Sequence, residues 1–183
     1  MVIVPYIELP PNLPGIAGPI AQYPETGGPL NALAEALLRG PSSLTPGERE
    51  TIAAYVSSRN ACRFCAETHS AVARHLLGDD AEIVDQVRAG GDRAPVDPKL
   101  KALLAIADKV RDDGRNVTAD DVARARAAGA DDKAVHDTVL IAAAFCMFNR
   151  YVDGLATWAP VEPEAYVDHG KTLAETGYLR SSR

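Results

Sequence analysis

Three side chains within eight positions, Cys62, Cys65 and His69, could do thiol chemistry. They lie in the segment N-A-C-R-F-C-A-E-T-H, residues 60–69. Residues three and four apart are neighbours on a helix, so helical geometry would put both sulfurs and the imidazole on one face. Cysteines at this spacing can close a small disulfide loop with little rearrangement. The reactive form of a cysteine is the thiolate, and three influences bear on it here. The positive end of a helix dipole favours Cys62, which is nearer the helix start. Arg63 lies between the two cysteines. His69 follows Cys65 by one turn and can take its proton as a base that titrates near neutrality. A positioned base acts on the proton itself, so Cys65 reads as the attacking thiol and Cys62 as the resolving one. The cycle would be attack on a peroxide oxygen, formation of a sulfenic acid, condensation with Cys62, and reopening of the disulfide by a separate thiol.

A base of this kind works best when a third group orients it. Glu50 stands twelve residues before Cys62 and would reach His69 if the two helices pack as an antiparallel hairpin. Glu48 is the rival, although a capping role accounts for it better.

The positioning elements read as helices throughout. Leu30, Leu33, Ala34, Leu37 and Leu38 repeat at helical spacing until Gly40-Pro41 stops them. Thr45-Pro46-Gly47-Glu48 is a capping box with proline at the first helical position, and this second helix should run to about Ser58. Asn60 would cap a third, carrying Cys62, Cys65 and His69 and ending near Gly78. A short fourth spans roughly 80–89. Asp97-Pro98 opens a fifth that ends at Gly114, and Thr118 with Asp121 opens a sixth that ends at Gly129. The seventh runs from Asp131 or Asp132 towards Ala156. It is apolar nearly all round over 139–148, which predicts the central buried helix. Pro163 starts a last amphipathic helix towards Tyr178. No β alternation or hairpin turn emerges. The likeness of Thr45-Pro46 to Asp97-Pro98 has two readings, an ancient duplication of helix pairs or shared helix-start chemistry, and the second is preferred.

Residues 1–29 hold seven of the thirteen prolines and predict an extended arm. Its apolar residues Val2, Ile3, Val4, Tyr6, Ile7 and Leu9 should pack on the domain or on a neighbour. The chain divides accordingly into an arm, 1–29, and a helical domain, 30–183.

The 183 residues suit one compact domain. A net charge of −6 repels phosphate backbones, so nucleic acid is not an expected partner. No apolar run approaches the ~18 residues of a membrane span, and no leader pattern is present. The expected location is the cytoplasm, where thiols stay reduced and a C-x-x-C pair signals redox or metal chemistry. Structural zinc needs four ligands. His75 falls on another face, and Cys146 and His136 are far away in sequence. Cys146 sits in an alanine-rich apolar run and reads as buried filler. His136 and His169 read as surface or supporting residues, Trp158 as core or interface. A thioredoxin reading fails because the motif's flanks are helical. With no Gly-rich phosphate loop, no flavin or metal cofactor is expected. Two other classes stay open: a non-enzymatic helical module with a zinc or redox-sensing clip, and a cofactor-free lyase.

The residues L-T-P-G-E-R-E (44–50), the V-S pair that follows, N-A-C-R-F-C-A-E-T-H and the later F-N-R-Y-V-D-G-L (148–155) resemble the AhpD-like alkylhydroperoxidase and carboxymuconolactone decarboxylase superfamily, in particular its peroxidase-related branch. The resemblance implies an all-α, AhpD-like helical bundle covering most of the chain after about residue 30. It implies a homo-oligomer (dimer, trimer or hexamer), a peroxide substrate, and an external reductant of lipoyl or thioredoxin type. It makes Cys65 the peroxidatic residue, Cys62 the resolving one, and Glu50 with His69 the proton relay. Decarboxylase members lack the cysteine pair, which disfavours that activity. One departure stands out: the well-studied peroxidases carry histidine just before the second cysteine, where this chain has Phe64.

Overall fold

A computed structural model describes residues 4–179. Among them are nine α-helices, four short 3-10 turns and no strand. The fold described is all-α. No helix among the described residues is long and apolar enough to cross a membrane.

The helices are α1 (Ala17–Gln22), α2 (Pro24–Arg39), α3 (Pro46–Arg59), α4 (Arg63–Leu77), α5 (Glu82–Gly90), α6 (Pro98–Asp113), α7 (Ala119–Ala127), α8 (Asp132–Gly154) and α9 (Val167–Thr176). Helix α3 begins as its sequence dictates. Thr45 Oγ1 accepts from the Glu48 amide at 3.1 Å, Glu48 Oε2 accepts from the Thr45 amide at 2.7 Å, and Pro46 fills the first position. Glu48 is tied further to Lys99 Nζ at 3.0 Å.

Three sequence expectations need correction. The prolines do not hold residues 17–29 extended. Pro19 sits in the first turn of α1 and Pro24 is the first residue of α2, where a missing amide costs no helical bond. Pro29 lies inside α2, which continues through it. Among the described residues, the stretch without a helix before α1 is 4–16. It is pinned by the Tyr6 amide to Leu155 O at 3.0 Å and by the Gly15 amide to Trp158 O at 2.9 Å. Val4 and Tyr6 remain exposed, and Val2 and Ile3 lie outside the described residues.

Helix α8 is not the central helix. Its Leu140 and Met147 are 39% and 44% exposed, and Ala143 between them is also on the surface. The continuously buried helix is α3, whose residues 49–57 are all buried. It is covered by α2, α4, α5, α6 and α8, so its polar residues face other helices. Leu38, Ile52, Val56, Leu103, Leu104, Ile141 and Phe145 are at most 1% exposed around it. Each such side chain contributes roughly 1.5–3 kcal/mol of hydrophobic stabilisation.

The last helix starts later than expected, since Pro163–Tyr166 form a 3-10 turn before α9.

Candidate active site

The cysteine loop is built by the way α3 ends. Its last turn closes as a Schellman motif: the Cys62 amide donates to Ser57 O and the Ala61 amide to Ser58 O, both at 3.0 Å. That motif needs a left-handed residue, and Ala61 supplies it at φ +59°. For a residue with a Cβ this costs roughly 1–2 kcal/mol. The kink makes Cys62 the N-cap of α4, in extended conformation, with Arg63 the first helical residue. Asn60 therefore does not cap α4. It closes α3, and its Nδ2 donates to Asn149 Oδ1 at 2.9 Å, while Asn149 Nδ2 donates to Ser57 Oγ at 3.0 Å. Asn149, buried on α8, thus clamps both ends of the kink.

Cys65 falls in the first turn of α4, so the helix dipole acts on it and not only on Cys62. Both sulfurs are buried free thiols. The Cys62 thiol is pushed well above its ordinary value, first by its hydrogen bond with Cys65, then by burial and the charge on Cys65. Cys62 therefore holds its proton. Asp153, one turn beyond Asn149, is raised by burial and partly relieved by a hydrogen bond with Cys62. The Arg63 guanidinium donates to Val161 O.

His69 lies on α4 one turn past Cys65 and points inward. Its Nδ1 stands 2.7 Å from Glu50 Oε2, and its ring meets Phe145 edge-on, centroids 4.6 Å apart. Glu50 is fully buried. A carboxylate only accepts, so Nδ1 carries the proton and Nε2 keeps its lone pair. The other carboxylate oxygen, Oε1, accepts from the Tyr178 phenol at 2.7 Å and faces Arg39 Nη2 at 3.1 Å. A buried anion needs such compensation.

Cys65 and His69 line a cavity of about 450 Å³, enclosed by apolar side chains including Ile16, Leu30, Phe145 and Phe148. Thr68 also lines it, and its buried hydroxyl has no hydrogen-bond partner among the described residues. Phe64 lies on the same wall, tilted against Tyr166 at 6.3 Å.

A family model for the carboxymuconolactone decarboxylase family matches residues 24–109, a span that holds Glu50, Cys62, Cys65 and His69. The fold superposes on a peroxidase-related protein from Ralstonia eutropha described as an alkylhydroperoxidase AhpD core. The TM-score is 0.76 at 26% identity, covering 86% of this chain and 81% of that one. These likenesses support the assignment of the chain to the AhpD-like and carboxymuconolactone decarboxylase superfamily. A second member of peroxidase-related description, from a Silicibacter species, aligns with a TM-score of 0.70 at 27% identity over 78% of this chain and 73% of that one. A protein of unknown function from Agrobacterium tumefaciens shares the fold, with a TM-score of 0.67 at 21% identity over 78% and 96% of the two chains. A comparison with curated proteins finds no match.

Within this superfamily fold the four residues singled out from sequence share one small region, and Glu48, engaged in its cap, does not join them. Among the described residues no group of three or more His, Cys, Asp or Glu converges as a metal site. His75 faces Glu175, 4.0 Å away and exposed, and His136 pairs with Asp137 at 3.0 Å. His169 borders the cavity. Cys146 is half-buried, where full burial was expected, and its thiol donates to Arg111 O at 3.8 Å. Sequence reasoning missed Arg39, Asn149, Asp153 and Tyr178. Asn149 and Asp153 share one face of α8, one turn apart, inside the F-N-R-Y-V-D-G-L stretch that carries the resemblance.

Proposed function

We propose that this chain is a thiol-dependent peroxidase working through a dithiol–disulfide cycle. The carrying observation is the 2.7 Å contact of His69 Nδ1 with buried Glu50, on a histidine that shares a cavity wall with Cys65. Glu50 keeps the proton on Nδ1, so Nε2 is free to take the Cys65 proton. The Cys65 thiolate then attacks the terminal oxygen of a hydroperoxide and the O–O bond breaks. Cys65 becomes a sulfenic acid, and the alkoxide leaves as alcohol with the proton His69 had taken. Thr68 is the donor placed to hold a peroxide oxygen. Cys62 next attacks the Cys65 sulfur, the S–O bond breaks, and hydroxide leaves as water with the Cys62 proton. An external dithiol of lipoyl or thioredoxin type supplies two electrons to reopen the bond.

The raised Cys62 thiol fits a resolving role, since it should not compete for peroxide. Phe64 keeps the wall apolar where well-studied relatives carry a histidine, so His69 with Glu50 is the relay in this chain. The reaction suits a reducing compartment, the cytoplasm. Homo-oligomerisation would cover the apolar stripe of Leu140 and Met147, and sedimentation velocity measures it.

The test is peroxide consumption with lipoyl and thioredoxin donors. Cys65→Ser should abolish turnover. Cys62→Ser should consume about one equivalent of peroxide and leave a sulfenic acid that dimedone traps. Full turnover by Cys65→Ser would refute the assignment.

A further inference from the structure

We infer that Tyr178 is a positioning residue, a phenol latch that holds the Glu50 carboxylate so that His69 presents Nε2 to Cys65. The inference deepens the peroxidase reading and rests on it for the identity of the nucleophile. The latch comes from the C-terminal segment, outside the span that the family model matches.

The contacts form one joint. Tyr178 donates to Glu50 Oε1 at 2.7 Å, and its oxygen lies 3.3 Å from His69 Nδ1. Its ring is stacked on the imidazole, 5.9 Å between centroids and 21° between planes. A carboxylate with one oxygen tied and the other free can turn about its last bond. With Oε1 held by the phenol, Oε2 stays on Nδ1–H and the imidazole has one orientation and one tautomer. Burial, and then the charge of Glu50, keep the phenol well above its ordinary titration range, so it remains a donor.

The backbone around Tyr178 is built to this register. Helix α9 presses onto α4 at Gly170, where a Cβ would stand 2.5 Å from Ala71 Cβ and 2.9 Å from the Ala71 carbonyl carbon. It ends at Gly177, φ +74°, whose amide returns to Leu173 O at 2.9 Å. A Cβ there would meet Glu35 Oε2 at 2.5 Å, and that same oxygen accepts the Tyr178 amide at 2.6 Å. Arg39 donates to Leu173 O at 3.3 Å and lies 5.5 Å over the Tyr178 ring. The segment is therefore tethered on both sides of the phenol.

The charged and titratable groups facing this joint are Glu35 and Arg39 from α2, Arg49 and Glu50 from α3, and Cys65 and His69 from α4. His169 comes from α9, and α8 offers the apolar Phe145 and Phe148. Removing the phenol donor leaves Glu50 a stronger acceptor. That raises the proton affinity of His69, the base that takes the Cys65 proton, and so moves the rise of Cys65 reactivity to lower pH.

The test is iodoacetamide alkylation of Cys65 against pH, in the full chain carrying Cys62→Ser, with the modified peptide identified by mass spectrometry. Tyr178→Phe keeps the ring and its stacking and loses one oxygen. It should shift the limb downward by about half to one pH unit. Tyr178→Ala should do the same and also lower thermal stability. A plug that merely fills space would leave the Tyr178→Phe profile on that of the parent, and this result overturns the inference. The wild-type protein gives a second reading. Nitrogen-15 NMR of the His69 ring should show the Nδ1–H tautomer alone at neutral pH, and a dominant Nε2–H tautomer would overturn it equally. Alkylation consumes no peroxide, so a failure of the peroxidase reading cannot be mistaken for a failure of the latch.

Discussion

Glu50→Gln changes one atom of the buried carboxylate, and the structure predicts how the new amide must turn. On the Oε1 side stand two donors, Arg39 Nη2 at 3.1 Å and the Tyr178 phenol at 2.7 Å; on the Oε2 side stands His69 Nδ1 at 2.7 Å. An amide that faced Arg39 and Tyr178 with its NH2 would set donors against donors. Its carbonyl therefore takes that side, and its NH2 faces Nδ1. Nδ1 must then accept, and the ring proton moves to Nε2. The base is lost although every hydrogen bond is kept. The same carboxylate-to-amide change in a hydrolase triad, which also fixes the wrong tautomer, costs about 10⁴ in rate. Here the Cys65 thiolate has a second source of stabilisation in the helix N-terminus, so a loss of about 10²–10³ in the peroxide rate constant is expected. Stability should fall by only about 1–3 kcal/mol, because Arg39 loses its counter-charge but keeps an acceptor. Stopped-flow reaction of the reduced protein with cumene hydroperoxide, paired with urea unfolding, reads both numbers. A folded Glu50→Gln protein that reacts at the wild-type rate would refute the relay.

Two further outcomes follow from the same geometry. Ala61→Gly removes the left-handed strain before Cys62, about 1–2 kcal/mol, while glycine's unfolded-state freedom takes back about 0.5–1. Urea unfolding should therefore show a gain of about 0.5–1 kcal/mol, and a loss would mean that Ala61 is not strained. Asp121 on α7 is buried and held far below its ordinary range, first by its 2.6 Å bond to Lys109 Nζ and then by its capping bond with Thr118. A depressed native value means that the unfolded chain binds the proton first. The stabilisation is present above about pH 3.9 and is lost as pH falls through the native value. Asp121→Asn should thus cost most above about pH 4 and progressively less as pH falls below it; an equal cost at pH 7 and pH 2 would refute the charge argument.

What the sequence made legible follows interaction range. Thr45, Pro46 and Glu48 fix the start of α3 within four residues, and the structure reproduces that cap atom for atom. Glu50, Cys62, Cys65 and His69 belong to two consecutive helices, so a hairpin argument reaches all of them. The arm differs from expectation because the density of prolines reads as extended chain, although Pro19 and Pro24 fall in helical first turns, which accept proline. The cap of α4 was misread because a sequence cannot announce an alanine in the left-handed region, and that one residue shifts Cys62 off the helix. The exposed side of α8 was misread because an apolar helix records that its faces avoid water, not which of them this chain covers itself.

Arg39 and Tyr178 were beyond reach for a different reason. Neither carries a motif, and Tyr178 meets Glu50 across 128 residues of chain. Yet the need for something like them was derivable. A fully buried carboxylate that serves one imidazole leaves an oxygen unsatisfied, at a cost of several kcal/mol if nothing answers it. Once Glu50 is assigned to His69, at least one donor from another element must close on its far oxygen. The donors in this chain differ in kind. Arg39 offsets the charge, and Tyr178 fixes the direction. A pair that only neutralised Glu50 would stabilise the fold without constraining the imidazole. It is the phenol, stacked on the ring it serves, that converts a buried charge into a base with a defined tautomer.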